Sequence, residues 1–90
     1  MKVIWGRRAL SQLRDAHAFI AQDDPKAAQK FLTTMENLCQ LLIVFPRMGV
    51  ETDESGIMML SLARYHHLIF YTLLPDTIHI IRIRHASRKT

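Results

Sequence analysis

The chain has 90 residues, enough for one small domain, and its 49% hydrophobic and 22% charged residues exclude a disordered or fibrous protein. Its single cysteine, Cys39, excludes an internal disulfide and an all-cysteine metal site, which favours a reducing compartment. The net charge of +4 is unevenly placed, because residues 1–22 and 64–90 are basic whereas residues 23–63 are net acidic. Basic ends favour an acidic partner, either nucleic acid or an acidic protein, although a solvated basic face explains them equally well.

The first half of the chain predicts a short strand and two helices. Residues 2–5 are rich in β-branched and aromatic side chains, as in a strand. From Arg7 onward, apolar residues recur at three- and four-residue spacing, which predicts an amphipathic helix. Asp24 and Pro25 suit the cap and first turn of a second helix, which should end at the proline and glycine of residues 45–49. Two helices joined by about four residues should form an antiparallel hairpin.

The second half of the chain predicts a sheet. Residues 46–56 are predicted to be a polar loop, and three strands follow at about residues 57–62, 65–74 and 78–84. The middle strand is apolar on both faces, which indicates a central strand. The order β-α-α-β-β-β therefore predicts an α+β fold, with a helical hairpin packed on one face of a small, mainly antiparallel sheet. The other face should carry apolar residues that nothing in the chain covers.

No segment of the sequence predicts export or membrane insertion. The N-terminus lacks the apolar stretch of a secretory signal. The longest apolar run, residues 41–45, is far shorter than the roughly 20 residues that a membrane span needs. We therefore expect one cytoplasmic domain over residues 1–90.

Two adjacent histidines, His66 and His67, raise the question of a metal site. Neighbouring side chains on a strand point to opposite faces, so the two histidines could not chelate one ion together. No cysteine or carboxylate lies close enough in sequence to complete a ligand set. We expect neither a metal nor another cofactor.

The C-terminal segment, "HIIRIRHASRKT", is the best candidate for chemistry. Strand alternation gives it two sets of side chains: Ile78, Ile80, Arg82 and Arg84, and His79, Ile81, Ile83 and His85. Strands seldom aim two arginines at an apolar core, so we expect Arg82 and Arg84 on the face away from the helices. Beside Arg88 and Lys89 they could bind phosphates or carboxylates. His85 could act as a general acid or base in RNA cleavage, although the tail has no tyrosine or carboxylate to complete the pair.

An ordered set of short segments resembles a known family. The segments are "WGRRALSQL", "AFIAQDDPKAA", "LLIVFPRMG", "RYHHLIFY" and "IHIIRIRHASR". They are similar in order and spacing to the ParE toxins of the RelE/ParE superfamily, also described as plasmid stabilisation proteins. The resemblance spans nearly the whole chain, and the family fold has the strand and helix order derived above.

The resemblance implies a toxin of a type II toxin–antitoxin system that a cognate antitoxin neutralises. ParE toxins poison DNA gyrase, block replication and so arrest growth, which implies a protein inhibitor rather than an enzyme. Contact with DNA would then occur only through the antitoxin complex. The expected target-binding residues are in the C-terminal segment: Arg82, Arg84, His85, Arg88 and Lys89. The resemblance assigns no antitoxin-binding residues.

Two alternatives stay open at the level of sequence. The RelE branch cleaves mRNA on the ribosome, and such a site would use Arg64, Arg84, His85 and Arg88. Val50 and Met58 stand where the family often has cations, which weakens the ribonuclease hypothesis because phosphoryl transfer needs positive charge. The third hypothesis is a degenerate, non-toxic member that only binds its partner.

Overall fold

Two helices cover one face of a five-stranded sheet in the computed structural model, which describes residues 1–87. The elements in chain order are β1 (Lys2–Trp5), α1 (Arg7–Asp23), α2 (Pro25–Val44), β2 (Val50–Glu51), β3 (Met58–Leu62), a 3₁₀ turn (Ala63–Tyr65), β4 (His67–Leu73) and β5 (Thr77–His85). The strands lie in the order β1-β5-β4-β3-β2. β1 runs parallel to β5 and the other pairs are antiparallel. The predicted α+β architecture is confirmed.

A single residue joins the two helices. α1 continues to Asp23 and α2 begins at Pro25, so the expectation of about four joining residues is wrong. Asp24 has an extended backbone, which is the conformation favoured before a proline. Its carboxylate accepts hydrogen bonds from the backbone N–H groups of Lys26 and Ala27, both at 3.1 Å. The predicted cap is therefore confirmed, and the same residue both ends α1 and starts α2.

The loop after α2 contains a short strand that the sequence did not predict. β2 is only two residues long, too short for a hydrophobic period, and it pairs with Met58 and Met59 of β3. The predicted strand at residues 65–74 also begins later than expected. The chain forms a 3₁₀ turn there, and His66 has a left-handed backbone with φ of 54°.

A β-bulge in β5 determines which side chains face the helices. The pairs that flank it are Ile69 with Ile83, Phe70 with Arg82, and Tyr71 with Ile80. Ile81 is left without a partner, and the extra residue reverses the alternation beyond it. Strict alternation, which grouped Ile80 with Arg82, is therefore wrong. The expectation that Arg82 and Arg84 point away from the helices is confirmed, because Ile83 lies in the core instead.

The core lies between the helices and the inner face of the sheet. Its helical members are Ala9, Phe31, Met35 and Leu42, and its strand members are Met58, Ile69, Tyr71, Ile78, Ile80 and Ile83. All of them are less than a tenth exposed. The apolar stripes of both helices and the isoleucines of β5 thus supply most of one continuous core.

Tyr71 fixes the chain as it leaves α2. Its hydroxyl donates a hydrogen bond to the Pro46 carbonyl at 2.9 Å and accepts one from the Gly49 N–H at 3.0 Å. A Cβ at position 49 would lie 2.7 Å from the Tyr71 hydroxyl and 2.8 Å from the Met59 carbonyl oxygen, closer than atoms tolerate. The glycine that marked the end of the helix in the sequence is therefore required by the tyrosine packed against it.

Replacing Tyr71 with phenylalanine should cost about 1–3 kcal/mol, because two backbone groups lose their buried partner. Chemical denaturation in urea measures the change. Tyr65→Phe is the matched control, since its ring contacts Phe31 at 5.2 Å while its hydroxyl has no hydrogen bond within residues 1–87. Equal midpoints for the two variants would contradict the role of the Tyr71 hydroxyl.

The same variant has a pH signature. Burial raises the pKa of Tyr71 above its ordinary value of 10.0. The phenol therefore stays protonated in the folded state at a pH where the unfolded chain ionises. Its contribution to stability is complete below pH 10.0 and is lost as the pH rises towards the folded-state pKa. This alkaline loss should be smaller in Tyr71→Phe.

Deleting one residue of β5 tests the bulge. Without Ile81 the pairing becomes regular and Arg82 stays opposite Phe70, so the same side chains face the core. Without Ile83, Arg84 moves opposite Ile69 on the helix side, and a buried unpaired charge costs several kcal/mol out of a typical stability of about 5–15 kcal/mol. We expect the first deletion to fold and the second to unfold, as measured by circular dichroism and thermal melting. Similar melting of both deletions would contradict the register.

Candidate functional site

The face of the sheet opposite the helices, called the outer face below, carries the cations of the C-terminal segment. Residues directly opposite each other in a sheet share a face. The outer-face pairs are Val50 with Met59, Met59 with Phe70, Ser61 with Leu68, Phe70 with Arg82, Leu68 with Arg84, and Thr72 with His79. The outer face is therefore an apolar strip along β4 that is flanked by arginines on β5.

Two guanidinium groups cover the centre of the outer face. The Cζ atom of Arg82 lies 4.2 Å from the centre of the Phe70 ring, and that of Arg84 lies 5.6 Å from it. Phe70 is only 5% exposed as a result. The expectation that nothing in the chain covers this face is wrong at its centre, because the two arginines lie over the ring and shield it from water.

Arg82 also binds the loop between β2 and β3. Its Nη2 atom donates to Oε1 of Glu54 at 3.0 Å. The Arg82 side chain is 22% exposed, whereas that of Glu54 is 61% exposed. The loop is ordered independently of this contact, because the N–H and the hydroxyl of Thr52 both donate to the Ile57 carbonyl, at 3.0 and 2.9 Å. Gly56 supplies the positive φ that the turn needs.

Three histidines meet where β4 begins and β5 ends. The ring centre of His85 lies 5.4 Å from that of His67 and 6.1 Å from that of His66. The sequence suggested a strand position for His66, but the residue lies in a turn. Its carbonyl accepts a hydrogen bond from the Ala86 N–H. His67 also contacts the ring of Phe31. Its proximity to His85 follows from the β4–β5 register, which a linear motif does not reveal.

The hydrogen bonds of His67 and His85 indicate different tautomers for the two neutral rings. Nδ1 of His67 lies 2.7 Å from the Tyr65 carbonyl, which can only accept, so this nitrogen carries the ring proton. Nδ1 of His85 lies 3.3 Å from the Ser87 N–H, which can only donate, so this nitrogen accepts and the proton is on Nε2. In the neutral rings, the proton is therefore on Nδ1 of His67 and on Nε2 of His85.

The structure places the remaining predicted residues as follows. Arg64 lies on the 3₁₀ turn, with its Cζ 5.9 Å from the Tyr65 ring centre. Arg88 and Lys89 lie outside the described residues. Val50 is 59% exposed on the outer face, whereas Met58 is 8% exposed and points into the core. The two positions at which family cations are missing therefore lie in different environments.

Two absences hold for residues 1–87. No group of three or more histidine, cysteine, aspartate or glutamate side chains in this range is arranged to hold a metal ion. No helix in it is long and apolar enough to cross a membrane.

Comparisons with known proteins agree over nearly the whole chain. Residues 3–90 match the family model described as the ParE toxin of the type II toxin–antitoxin system parDE. The chain is similar to Toxin RelE2 of Caulobacter vibrioides, at 30% identity over 87 residues and 97% of each chain. It is also similar to putative toxin Y4kP of Sinorhizobium fredii, at 27% identity over 88 residues, covering 98% of this chain and 91% of that protein.

A solved structure has the same fold. The chain superimposes on a protein of the chromosomal ParDE TA system from P. aeruginosa with a TM-score of 0.83 at 20% sequence identity. The match covers 97% of each chain, so the two proteins share the fold over nearly their whole length.

Arg82→Ala should destabilise the protein by about 1–2 kcal/mol, because it uncovers the Phe70 ring and removes the cation–π contact. Arg82→Met keeps an apolar cover and should recover most of that loss. Arg7→Ala, on the exposed surface of α1, should change stability by less than about 0.5 kcal/mol. Urea denaturation compares the three variants. Equal effects of Arg82→Ala and Arg7→Ala would show that Arg82 does not cover the ring.

Proposed function

Because the chain belongs to the ParE toxin family of type II toxin–antitoxin systems, we propose that it inhibits DNA gyrase without being an enzyme. Inhibition would block replication and arrest growth in the cytoplasm, and a cognate antitoxin would hold the toxin inactive. The outer face and the C-terminal segment are the proposed target-binding surface. Its described members are Arg82, Arg84 and His85.

The stack of Arg82 and Arg84 on Phe70 is the observation that supports a protein-binding surface. Arginine and aromatic side chains are the residues that most often dominate the energy of protein interfaces. A ring that orders two guanidinium groups before binding also lowers the entropy cost of association. The exposed Val50 extends the same surface with apolar area.

The basic character of the chain supports an acidic antitoxin. The net charge is +4, and several cations of α1 and β1 are exposed on the surface. Charge complementarity speeds association and suppresses wrong partners. The protein of the P. aeruginosa structure is described as part of a ParDE system, which is consistent with a paired antitoxin for this chain.

The purified toxin should inhibit supercoiling by gyrase, or trap cleaved DNA, at low stoichiometry. The double variant Arg82→Ala/Arg84→Ala should need at least about tenfold more protein for the same inhibition, since each interface arginine contributes roughly 1 kcal/mol or more. Arg7→Ala/Arg14→Ala removes the same charge from α1 and should inhibit like the wild type. Cleavage of mRNA on translating ribosomes, with supercoiling unaffected, would overturn the proposal.

A second candidate function rests on the histidine pair. Nε2 of His67 could take the proton of an RNA 2′-hydroxyl as its oxygen attacks the adjacent phosphorus. The bond from phosphorus to the 5′ oxygen would break, and His85 in its imidazolium form would protonate that leaving oxygen. The products would be a 2′,3′-cyclic phosphate, a neutral His85 and a protonated His67. Arg64 and Arg84, with Arg88, would stabilise charge on the phosphate. The similarity to the relative named Toxin RelE2 is the reason to retain a RelE-like ribonuclease as a candidate.

The histidines separate the two candidate functions. The variants are His67→Gln and His85→Gln. Under the first proposal His67→Gln, which lies outside the proposed target-binding surface, should leave gyrase inhibition within about threefold of the wild type. Under the second, each should reduce ribosome-dependent mRNA cleavage by at least about a hundredfold, which is the usual contribution of a general acid or base. If neither activity is found and expression is harmless, the chain is the degenerate family member of the third hypothesis.

A further inference from the structure

The outer face holds a carboxylate of the protein's own chain. Glu54 reaches across from the β2–β3 loop to Arg82, 28 residues away in sequence, and binds it at 3.0 Å. The Cζ atom of the same guanidinium group lies 4.2 Å from the Phe70 ring centre, so Arg82 contacts the ring and the carboxylate at the same time. Glu54 shows what chemical group the site accepts.

We propose that Arg82 is a binding site for an acidic side chain of the protein target, and that Glu54 occupies it in the free toxin as an internal competitor. The inference rests on the proposed function, in which the outer face binds the target. Binding would exchange one carboxylate for another at an arginine that is already in position. The target's acidic side chain would be buried by the surrounding apolar surface, whereas Glu54 remains largely in water.

The energetics favour that exchange. An exposed ion pair contributes about 0.2–1 kcal/mol, and Glu54 is 61% exposed. A charge pair in the centre of an interface is often worth more than that. Release of Glu54 needs only a side-chain rotation, because the loop backbone is held by Thr52 and Ile57 rather than by the ion pair. The competitor can therefore leave without unfolding the loop.

The surroundings favour a protein carboxylate over a nucleic-acid phosphate. Asp53 and Glu54 are both in the β2–β3 loop, and Glu54 contacts Arg82 directly. A phosphate backbone passing this loop would meet repeated like charges, whereas a single acidic side chain needs only the position that Glu54 vacates. The exposed Val50 and the half-buried Met59 beside the site match the apolar ring of a protein interface.

Glu54→Gln tests the proposal, with Glu51→Gln as the control that makes the same change of charge in the same region. Glu51 is exposed on β2 and has no ion pair within residues 1–87. Glu54→Gln should inhibit gyrase supercoiling at about two- to fivefold lower concentration than the wild type. This ratio of concentrations corresponds to the free energy of an exposed ion pair. Glu51→Gln should inhibit like the wild type.

A second readout separates this inference from the identity of the target. Growth arrest on expression in cells depends on whichever target the toxin has. If the wild type fails to inhibit gyrase but Glu54→Gln arrests growth more strongly than Glu51→Gln, the gyrase proposal fails and the competitor role stands. If both variants act alike in both assays, or if Glu54→Gln only weakens activity and lowers the melting temperature, the competitor role is wrong.

A third measurement addresses nucleic acid. Binding of a DNA duplex to the toxin alone, without gyrase, should be the same for the wild type, Glu54→Gln and Glu51→Gln. A selective two- to fivefold gain in duplex affinity for Glu54→Gln would mean that the site accepts phosphate, and it would overturn the assignment to a protein side chain.

Discussion

The unpaired residue in β5 is the constraint on which both faces of the sheet depend. The last strand contains isoleucines and arginines at spacings that no regular strand could separate. The bulge at Ile81 absorbs one position, so Ile78, Ile80 and Ile83 all pack under the helices while Arg82 and Arg84 point the other way. The core and the proposed target-binding surface are thus specified by one irregularity in one strand.

The contacts on the outer face follow from the bulge in β5. The bulge brings Arg82 opposite Phe70, the guanidinium group lies over the ring, and the same group binds Glu54. At the far end of the same strand pair, the register brings His67 and His85 within 5.4 Å. Long-range pairing between β4 and β5 therefore assembles both candidate sites, one suited to binding and one to proton transfer.

The sequence predicted elements that depend on local chemistry and missed features that depend on pairing. The cap at Asp24, the two helices and the order of helices and strands along the chain followed from composition, spacing and hydrophobic period. The outward direction of Arg82 and Arg84 followed from the cost of placing two arginines in an apolar core. β2 was too short to have a period, and the spacing of isoleucines and arginines in β5 does not say at which residue the bulge lies. The contact of Arg82 with Glu54 spans 28 residues, and spacing in sequence cannot reveal it.

Met58 has a consequence for how this chain could evolve. Its side chain lies in the core, opposite Tyr71 and beneath the helices. A cation introduced there would be a charge without water or a partner, at a cost of several kcal/mol in a small protein whose whole stability is of that order. A cation at position 58 would thus require at least a second substitution that supplies a partner for the buried charge.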